Sequence, residues 1–413
     1  MTNNPFSTEN DEIISLPILI PDSILNGTDE GKCLFYSKLE SFIDSHLKDM
    51  SDLSKSIALE KLKYIKRKLM ITDTNDLDVI ETASSVLGYK YLSNTTPKTA
   101  TREAKAISAF KGKELYTVFV TAPMSAGKST FLNALVGKKV CRTESQACTG
   151  QIHRLLSKPL DDGIVLLYNG HYLFNPDDEI LLEADTDSGS EVTVATWFDG
   201  FLGGEKVLFA DSPGINSATH HEHGEITKTF LKENKPDLIL FLINITNFGT
   251  DDESTYLRYI KENCPNTSVV FIVNKMSNIH PEDESIDGVL GNVRGYLKGF
   301  GFNDPVICPV DSLAGYTAKR VIAGVELDRS SRYEYMHLCN RFSDYSLQQW
   351  YSKKPFLYRT VNRENEDEQL LFDCGLAQVE KFIVSLIKKK IAPPREPALP
   401  KKKSKKTKRK KRK

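Results

Sequence analysis

The chain has 413 residues, of which 40% are apolar and 27% charged, with 24 Gly and 18 Pro. It is too long for one small core and too apolar for a disordered, collagen-like or disulfide-stapled chain. Seven scattered cysteines without a C-x-x-C pair exclude a zinc ribbon and fit reduced thiols in a cytoplasmic compartment. The formal net charge of zero hides a segregation, because residues 401–413 carry 11 Lys/Arg and no acid, which leaves 44 basic against 55 acidic residues in the rest. No run of about 18 uncharged apolar residues occurs, so neither a membrane span nor a signal peptide is expected.

In chain order, residues 1–30 are irregular and Pro-containing and are expected to form a flexible N-terminus. A helical region follows over 31–110. Phe35, Leu39, Phe42, Ile43, Leu47 and Met50 recur at helical spacing, with further helices predicted over Ser54–Met70, Leu77–Leu87 and Arg102–Phe110. From 111 to 325 short apolar runs separated by helices read as a mostly parallel sheet covered on both faces. The predicted strands are Tyr116–Thr121, Gln151–Ser157, Ile164–Tyr168, Val207–Ala210, Leu238–Ile243, Val269–Val273 and Val306–Val310. The second and third are expected to pair antiparallel through Asp161-Asp162-Gly163, in an α/β sheet of six or seven strands. The acidic stretch Asp177–Glu191 reads as a solvated loop and Trp197–Gly204 as a turn. Helices are predicted at Leu313–Ala323, Arg332–Phe342 and Leu376–Lys389, and residues 326–391 form a C-terminal helical segment expected to pack on the α/β domain. A Pro-rich linker and a disordered basic tail occupy 392–413.

Directly after the first strand comes Ala122-Pro123-Met124-Ser125-Ala126-Gly127-Lys128-Ser129-Thr130, followed by an apolar helical run. This is the phosphate-loop pattern G-x-x-x-x-G-K-[ST] with Ala122 at the first glycine. Such a loop turns backbone N–H groups onto phosphate oxygens, while its lysine reaches the β/γ-phosphates and its hydroxyl, here Ser129, faces Mg²⁺. Further segments arrive in the order a GTPase requires. Thr149 sits where a switch threonine closes over Mg²⁺ and places the attacking water. Asp211-Ser212-Pro213-Gly214 follows a buried strand, so Asp211 is expected to hold a Mg²⁺-bound water and the Gly214 amide to meet the γ-phosphate. Asn274-Lys275 ends another strand, where a base-recognition loop belongs, and Asp311-Ser312 lies in the last base-facing loop.

These segments together resemble the GTPase domain of the dynamin superfamily, and bacterial dynamin-like proteins in particular. The likeness rests on the phosphate loop with Ser125, the stretch Ala147-Cys148-Thr149-Gly150, the run Asp211 to Asn216, and the run Pro309 to Tyr316. It covers roughly residues 100–390 and implies a P-loop GTPase with N- and C-terminal helical elements. It also implies catalytic roles for Ser125, Lys128, Thr149 and Gly214, and Mg²⁺ at Ser129, Thr149 and Asp211. A monovalent cation, K⁺ or Na⁺, is implied near Ser125, as is a homodimer formed through the GTPase domain. Two departures stand out. Met124 replaces a glutamine near the catalytic water. Ser277 replaces the aspartate that accepts guanine N–H groups, and Asp311, Asp283 or Asp287 is the expected substitute. About 110 residues precede the domain, so a compact member is expected, with a partner protein supplying a stalk.

The tract Lys401–Lys413 is read three ways: as a ligand for anionic lipid, as a ligand for nucleic acid or a targeting signal, and as a solubilising tail. The leading expectation is a GTPase that is cytoplasmic and peripheral at the inner face of a membrane. The alternative is a slow nucleotide-dependent switch, tethered by its tail to nucleic acid or a protein complex, with relaxed guanine specificity.

Overall fold

The computed structural model describes chiefly residues 109–123, 125–142, 152–184, 192–212, 229–357 and 368–391, less single or paired positions inside them. The predicted helices between 35 and 87, most of Arg102–Phe110 and the linker and tail from 392 lie outside the described residues.

Nine strands form one sheet in the order β4-β3-β5-β2-β6-β1-β7-β8-β9. They are β1 (Tyr116–Thr121), β2 (His153–Ser157), β3 (Val165–Tyr168), β4 (His171–Phe174), β5 (Val192–Thr196), β6 (Val207–Asp211), β7 (Leu238–Asn244), β8 (Ser268–Asn274) and β9 (Val306–Pro309). From β6 to β9 every pairing is parallel. The sequence dictates this half plainly: all seven residues of β7, Leu-Ile-Leu-Phe-Leu-Ile-Asn, are buried, as a strand covered on both faces requires. On the other side β2 runs antiparallel to β6 and parallel to β5, while β3 runs antiparallel to both β5 and β4.

The α/β class and mostly parallel sheet agree with the sequence reading; three details do not. The sheet has nine strands and not six or seven, because β4 and β5 were not anticipated. β2 and β3 are not partners, since β5 lies between them. Within the acidic stretch, Asp178–Ala184 is a helix, α2. Asp178 and Glu179 suit the positive end of its dipole, and Leu181 and Ala184 are buried at a spacing of three.

Among the described residues the other helices are α1 (Lys128–Val136), α3 (Asp251–Asn263), α4 (Ile286–Gly299), α5 (Ser312–Ile322), α6 (Arg329–Asp344), α7 (Leu347–Ser352), α8 (Gln369–Asp373) and α9 (Leu376–Ile391). Side-chain caps start four of them: Thr250 takes the Glu253 N–H, Ser285 the Gly288 N–H, Asp311 the Ala314 N–H and Asp328 the Ser331 N–H. α5 packs on α1, and α9 crosses the same helix. Leu376, Val379, Phe382, Ile383 and Ile387 of α9 are all buried. Its basic end reaches the foot of β1, where Lys390 pairs with Asp237 at 2.7 Å and Asp237 accepts the Thr117 N–H at 2.9 Å. Among the described residues no helix is long and apolar enough to cross a membrane.

Candidate nucleotide site

The site forms where β1, β6, β7, β8 and β9 end, the edge at which an open α/β sheet places ligands. β1 delivers the chain to Ala122, which is buried, and the loop then turns through two left-handed residues, Ser125 at φ 63° and Gly127 at φ 85°. Gly127 is required there. A Cβ on it would come within 2.6 Å of the Asn274 side-chain nitrogen, besides the strain of that φ for any L residue. α1 begins at the next residue, so Lys128 and Ser129 occupy its first turn. Ser125 is exposed, while Gly127, Lys128, Ser129 and Thr130 are half-buried.

Lys128 Nζ donates to Asp211 Oδ1 at 2.5 Å. The pair is nearly closed to water, with side-chain exposures of 10% and 2%. β6 brings Asp211 there because its five residues are buried beside β1 in parallel register, Val120 opposite Asp211. The next residue, Ser212, is tied to the same strand by its N–H to the Val120 carbonyl at 3.1 Å and by its hydroxyl to Thr121 Oγ1 at 3.1 Å. The geometry thus joins two predicted residues 83 positions apart.

Asn274 joins three loops. Its Nδ2 donates to the Ala126 carbonyl at 2.9 Å, and its Oδ1 accepts the Ser312 N–H at 3.0 Å and the Ser312 hydroxyl at 2.7 Å. Lys275 follows in the left-handed region at φ 65°, and the short 3₁₀ turn Met276–Asn278 holds Ser277. Asp311 acts as the cap of α5: Oδ1 takes the Ala314 N–H and Oδ2 the Ser277 N–H, both at 2.9 Å. The residue is 2% exposed, and both of its carboxylate oxygens are engaged within the protein. Asp287 is also committed elsewhere, since its Oδ1 accepts the Trp350 indole N–H at 3.0 Å and Lys354 Nζ at 3.1 Å. These contacts hold its carboxyl below the ordinary range. Both carboxylates thus have partners within the protein; Asp283 lies outside the described residues, as do Met124, Thr149, Pro213 and Gly214.

The sequence reading missed two residues of this region. Arg341, on α6, donates through Nε to the Ser277 carbonyl at 3.1 Å and through its terminal nitrogen to the Ile279 carbonyl, so a helix beyond the sheet grips the base loop. Asn133, inside α1, takes the Val140 and Cys141 N–H groups at 2.9 and 2.8 Å and gives its own N–H to the Cys141 carbonyl at 2.8 Å. It thereby fixes the backbone at Val140 and Cys141, just beyond α1. An arginine in one helix and a loop 62 residues earlier share no local pattern; an Asn buried among Phe131, Leu132, Ala134 and Leu135 does give a signal, a polar residue on an apolar face.

Ser129 and Asp211 offer hard oxygen donors, which fits Mg²⁺ chemistry. Among the described residues there is no group of three or more His, Cys, Asp or Glu able to hold a metal.

Residues 118–276 match the Dynamin family model. Dynamin-like protein A of Bacillus subtilis (strain 168) is 24% identical over 223 residues, which is 52% of this chain and 18% of that protein. Among solved structures, an oligomerised bacterial dynamin pair described as sensing and tethering membranes over long range aligns over 82% of this chain and 56% of its own, at 14% identity and a TM-score of 0.41. Aquifex aeolicus Era bound to GDP·AlF4⁻ aligns over 51% and 56%, at 21% identity and a TM-score of 0.31. The chain thus spans under a fifth of the curated relative's length and a little over half of these structures.

Proposed function

We propose, from the match of residues 118–276 to the Dynamin family model, that this chain is a dynamin-like P-loop GTPase that binds GTP with Mg²⁺ and hydrolyses it to GDP and phosphate. The observation that carries the reading is the closed Lys128–Asp211 pair on a phosphate loop that Asn274 ties to the base loop. Lys128 is poised to exchange Asp211 for the β/γ-phosphates. The backbone N–H groups of residues 125–129 then surround the same oxygens at the positive end of α1. Ser129, Asp211 and the switch residue Thr149 would hold Mg²⁺, which would supply positive charge to offset that of the phosphates. Thr149 and Gly214 are proposed to place the attacking water and sense the γ-phosphate. Ser125, exposed and left-handed, is proposed to turn its carbonyl and hydroxyl toward a monovalent cation, K⁺ or Na⁺, completed by a second copy of the domain. A homodimer across the nucleotide would follow. The tail Lys401–Lys413 is proposed to hold the protein at an anionic, inner membrane face, by about 1 kcal/mol per basic residue near the surface, with a partner protein supplying a stalk.

The test is steady-state hydrolysis of GTP and ATP with Mg²⁺ and K⁺ over a range of protein concentrations, with Lys128→Ala as the blank. Turnover of GTP per molecule that rises with concentration supports the proposal. Turnover equal to the blank refutes hydrolysis and leaves the slow, tail-tethered switch, a reading that the neutral Ser277 favours.

A further inference from the structure

We propose, resting on the nucleotide reading above, that the base pocket does not read the purine 2-amino group. Its substrate class is then the 6-oxopurine nucleoside triphosphates, ITP as well as GTP.

Guanine differs from hypoxanthine only by the 2-amino group. A site that reads that group needs an acceptor aimed at the N1/N2 edge, and a carboxylate is the strong form because charge-assisted bonds are roughly twice as strong as neutral ones. At the position three beyond Asn274 the chain has Ser277. Its backbone is fixed on both sides, the N–H on Asp311 and the carbonyl on Arg341. Residue 277 is therefore held where a base reader belongs, but with a neutral side chain. Of the acids expected as substitutes, the two among the described residues do not compensate. Asp311 is 2% exposed with an N–H on each oxygen, and Asp287 is bonded to α7 and Lys354.

The donors that remain select a purine without reading position 2. Asn274 Nδ2 spends one hydrogen on the Ala126 carbonyl, and its other hydrogen suits N7, which every purine carries. In the first turn of α5, the Ser312 N–H goes to Asn274 and the Ala314 N–H to Asp311. The Leu313 N–H has no intrachain acceptor among the described residues, and Leu313 is 39% exposed. A helix leaves its first N–H groups without helical partners, and a free donor on this loop suits a 6-oxo group and opposes the 6-amino group of adenine.

The experiment is displacement of a fluorescent GTP analogue from the full chain with Mg²⁺, using GTP, ITP, XTP, ATP and inorganic triphosphate as competitors. For the wild type, GTP and ITP are expected within about threefold of each other and ATP at least about tenfold weaker, since a site discriminates strongly only where it hydrogen-bonds the differing group. Ser277→Asp is expected to favour GTP over ITP by at least about tenfold and to reject XTP, whose 2-oxo group faces the new charge. A wild-type preference for GTP over ITP of about tenfold or more overturns the inference while leaving the nucleotide site intact; a carboxylate such as Asp283 would then be reading the base. ATP binding as well as GTP overturns the 6-oxo selection. If triphosphate competes as well as every nucleotide, or if the analogue does not bind at all, the nucleotide reading itself fails.

Discussion

Lys319→Met is the sharpest probe of how the C-terminal helix is held to the phosphate-loop helix. Lys319 is 3% and Glu380 0% exposed at the side chain. The ammonium group donates to Glu380 Oε1, to the Leu135 carbonyl at 2.8 Å and to the Asp199 carbonyl at 2.6 Å. Glu380 Oε2 accepts the Phe201 N–H at 3.1 Å. One cation thus ties α5, α9, the end of α1 and the turn at 199–201. Removing it leaves a buried carboxylate without its counter-charge, a change that costs about 3–5 kcal/mol. The two orphaned carbonyls, at roughly 1 kcal/mol or more each, push the expectation to the upper end. Against a total stability of about 5–15 kcal/mol this is a large fraction, and it lowers Tm by on the order of 10 °C for a domain of this size.

The pH dependence gives a second reading of the same perturbation. Burial already raises the Glu380 carboxyl and Lys319 opposes that rise; without Lys319 the carboxyl moves further up. A carboxyl raised in the folded state makes its full contribution below its unfolded value and loses it as pH climbs through the folded one. Lys319→Met is therefore expected to be most destabilised above neutrality and to regain stability as pH falls toward the usual carboxylate range. The double variant Lys319→Met, Glu380→Leu should recover most of the loss at every pH, because replacing both members of a buried pair is often neutral. Thermal and urea unfolding followed as a function of pH check the direction of this change. A single-variant loss below about 1 kcal/mol, the range of an exposed pair, refutes the buried clamp.

Two further predictions concern the nucleotide site. Arg341→Ala releases the Ser277 and Ile279 carbonyls; with bonds from a charged donor worth about 1.5–3 kcal/mol of stability, Tm should fall by several degrees and, below that Tm, GTP affinity should fall more than inorganic triphosphate affinity, and equal losses for both ligands would show that the arginine serves the fold and not the base loop. Gly127→Ala places a Cβ 2.6 Å from Asn274 Nδ2 at φ 85°, so it should cost about 1–2 kcal/mol of backbone strain and weaken GTP binding at least tenfold by breaking the link between Asn274 and Ala126; isothermal titration showing unchanged affinity would refute the placement of that loop.

The parts of the molecule legible in the sequence are those encoded by neighbours. Val207–Asp211, Leu238–Asn244 and Ser268–Asn274 are built on unbroken apolar runs that stop at a polar residue, and their observed ends fall within one residue of the predicted ones. The phosphate loop is a spacing of a few residues, so its place between β1 and α1 was readable. Strand β5, Val-Thr-Val-Ala-Thr, hid its burial because Thr193 and Thr196 look polar although both are buried. Its insertion between β2 and β3 overrode the tendency of consecutive strands to pair. Asp311 shows another limit: an acid next to a strand end reads first as a ligand, and its use as a helix cap emerges only once the following helix is placed.

The Lys319–Glu380 clamp bridges 61 residues, and no motif announces it, yet it left a trace. In α9, Glu380 stands four residues after Leu376 and four before Val384, inside the apolar stripe and not opposite it. In α5, Lys319 falls four residues after buried Gly315 and next to buried Ala318. A charge on the apolar face of a helix must find an opposite charge or a set of hydrogen bonds, because desolvating it alone is prohibitive. Two such misplaced charges of opposite sign, in helices that both need cover, therefore predict one another. By that rule the contact between α5 and α9 was available from the sequence, and with it the route by which the end of α1 is fastened to the C-terminal helix through the Leu135 carbonyl.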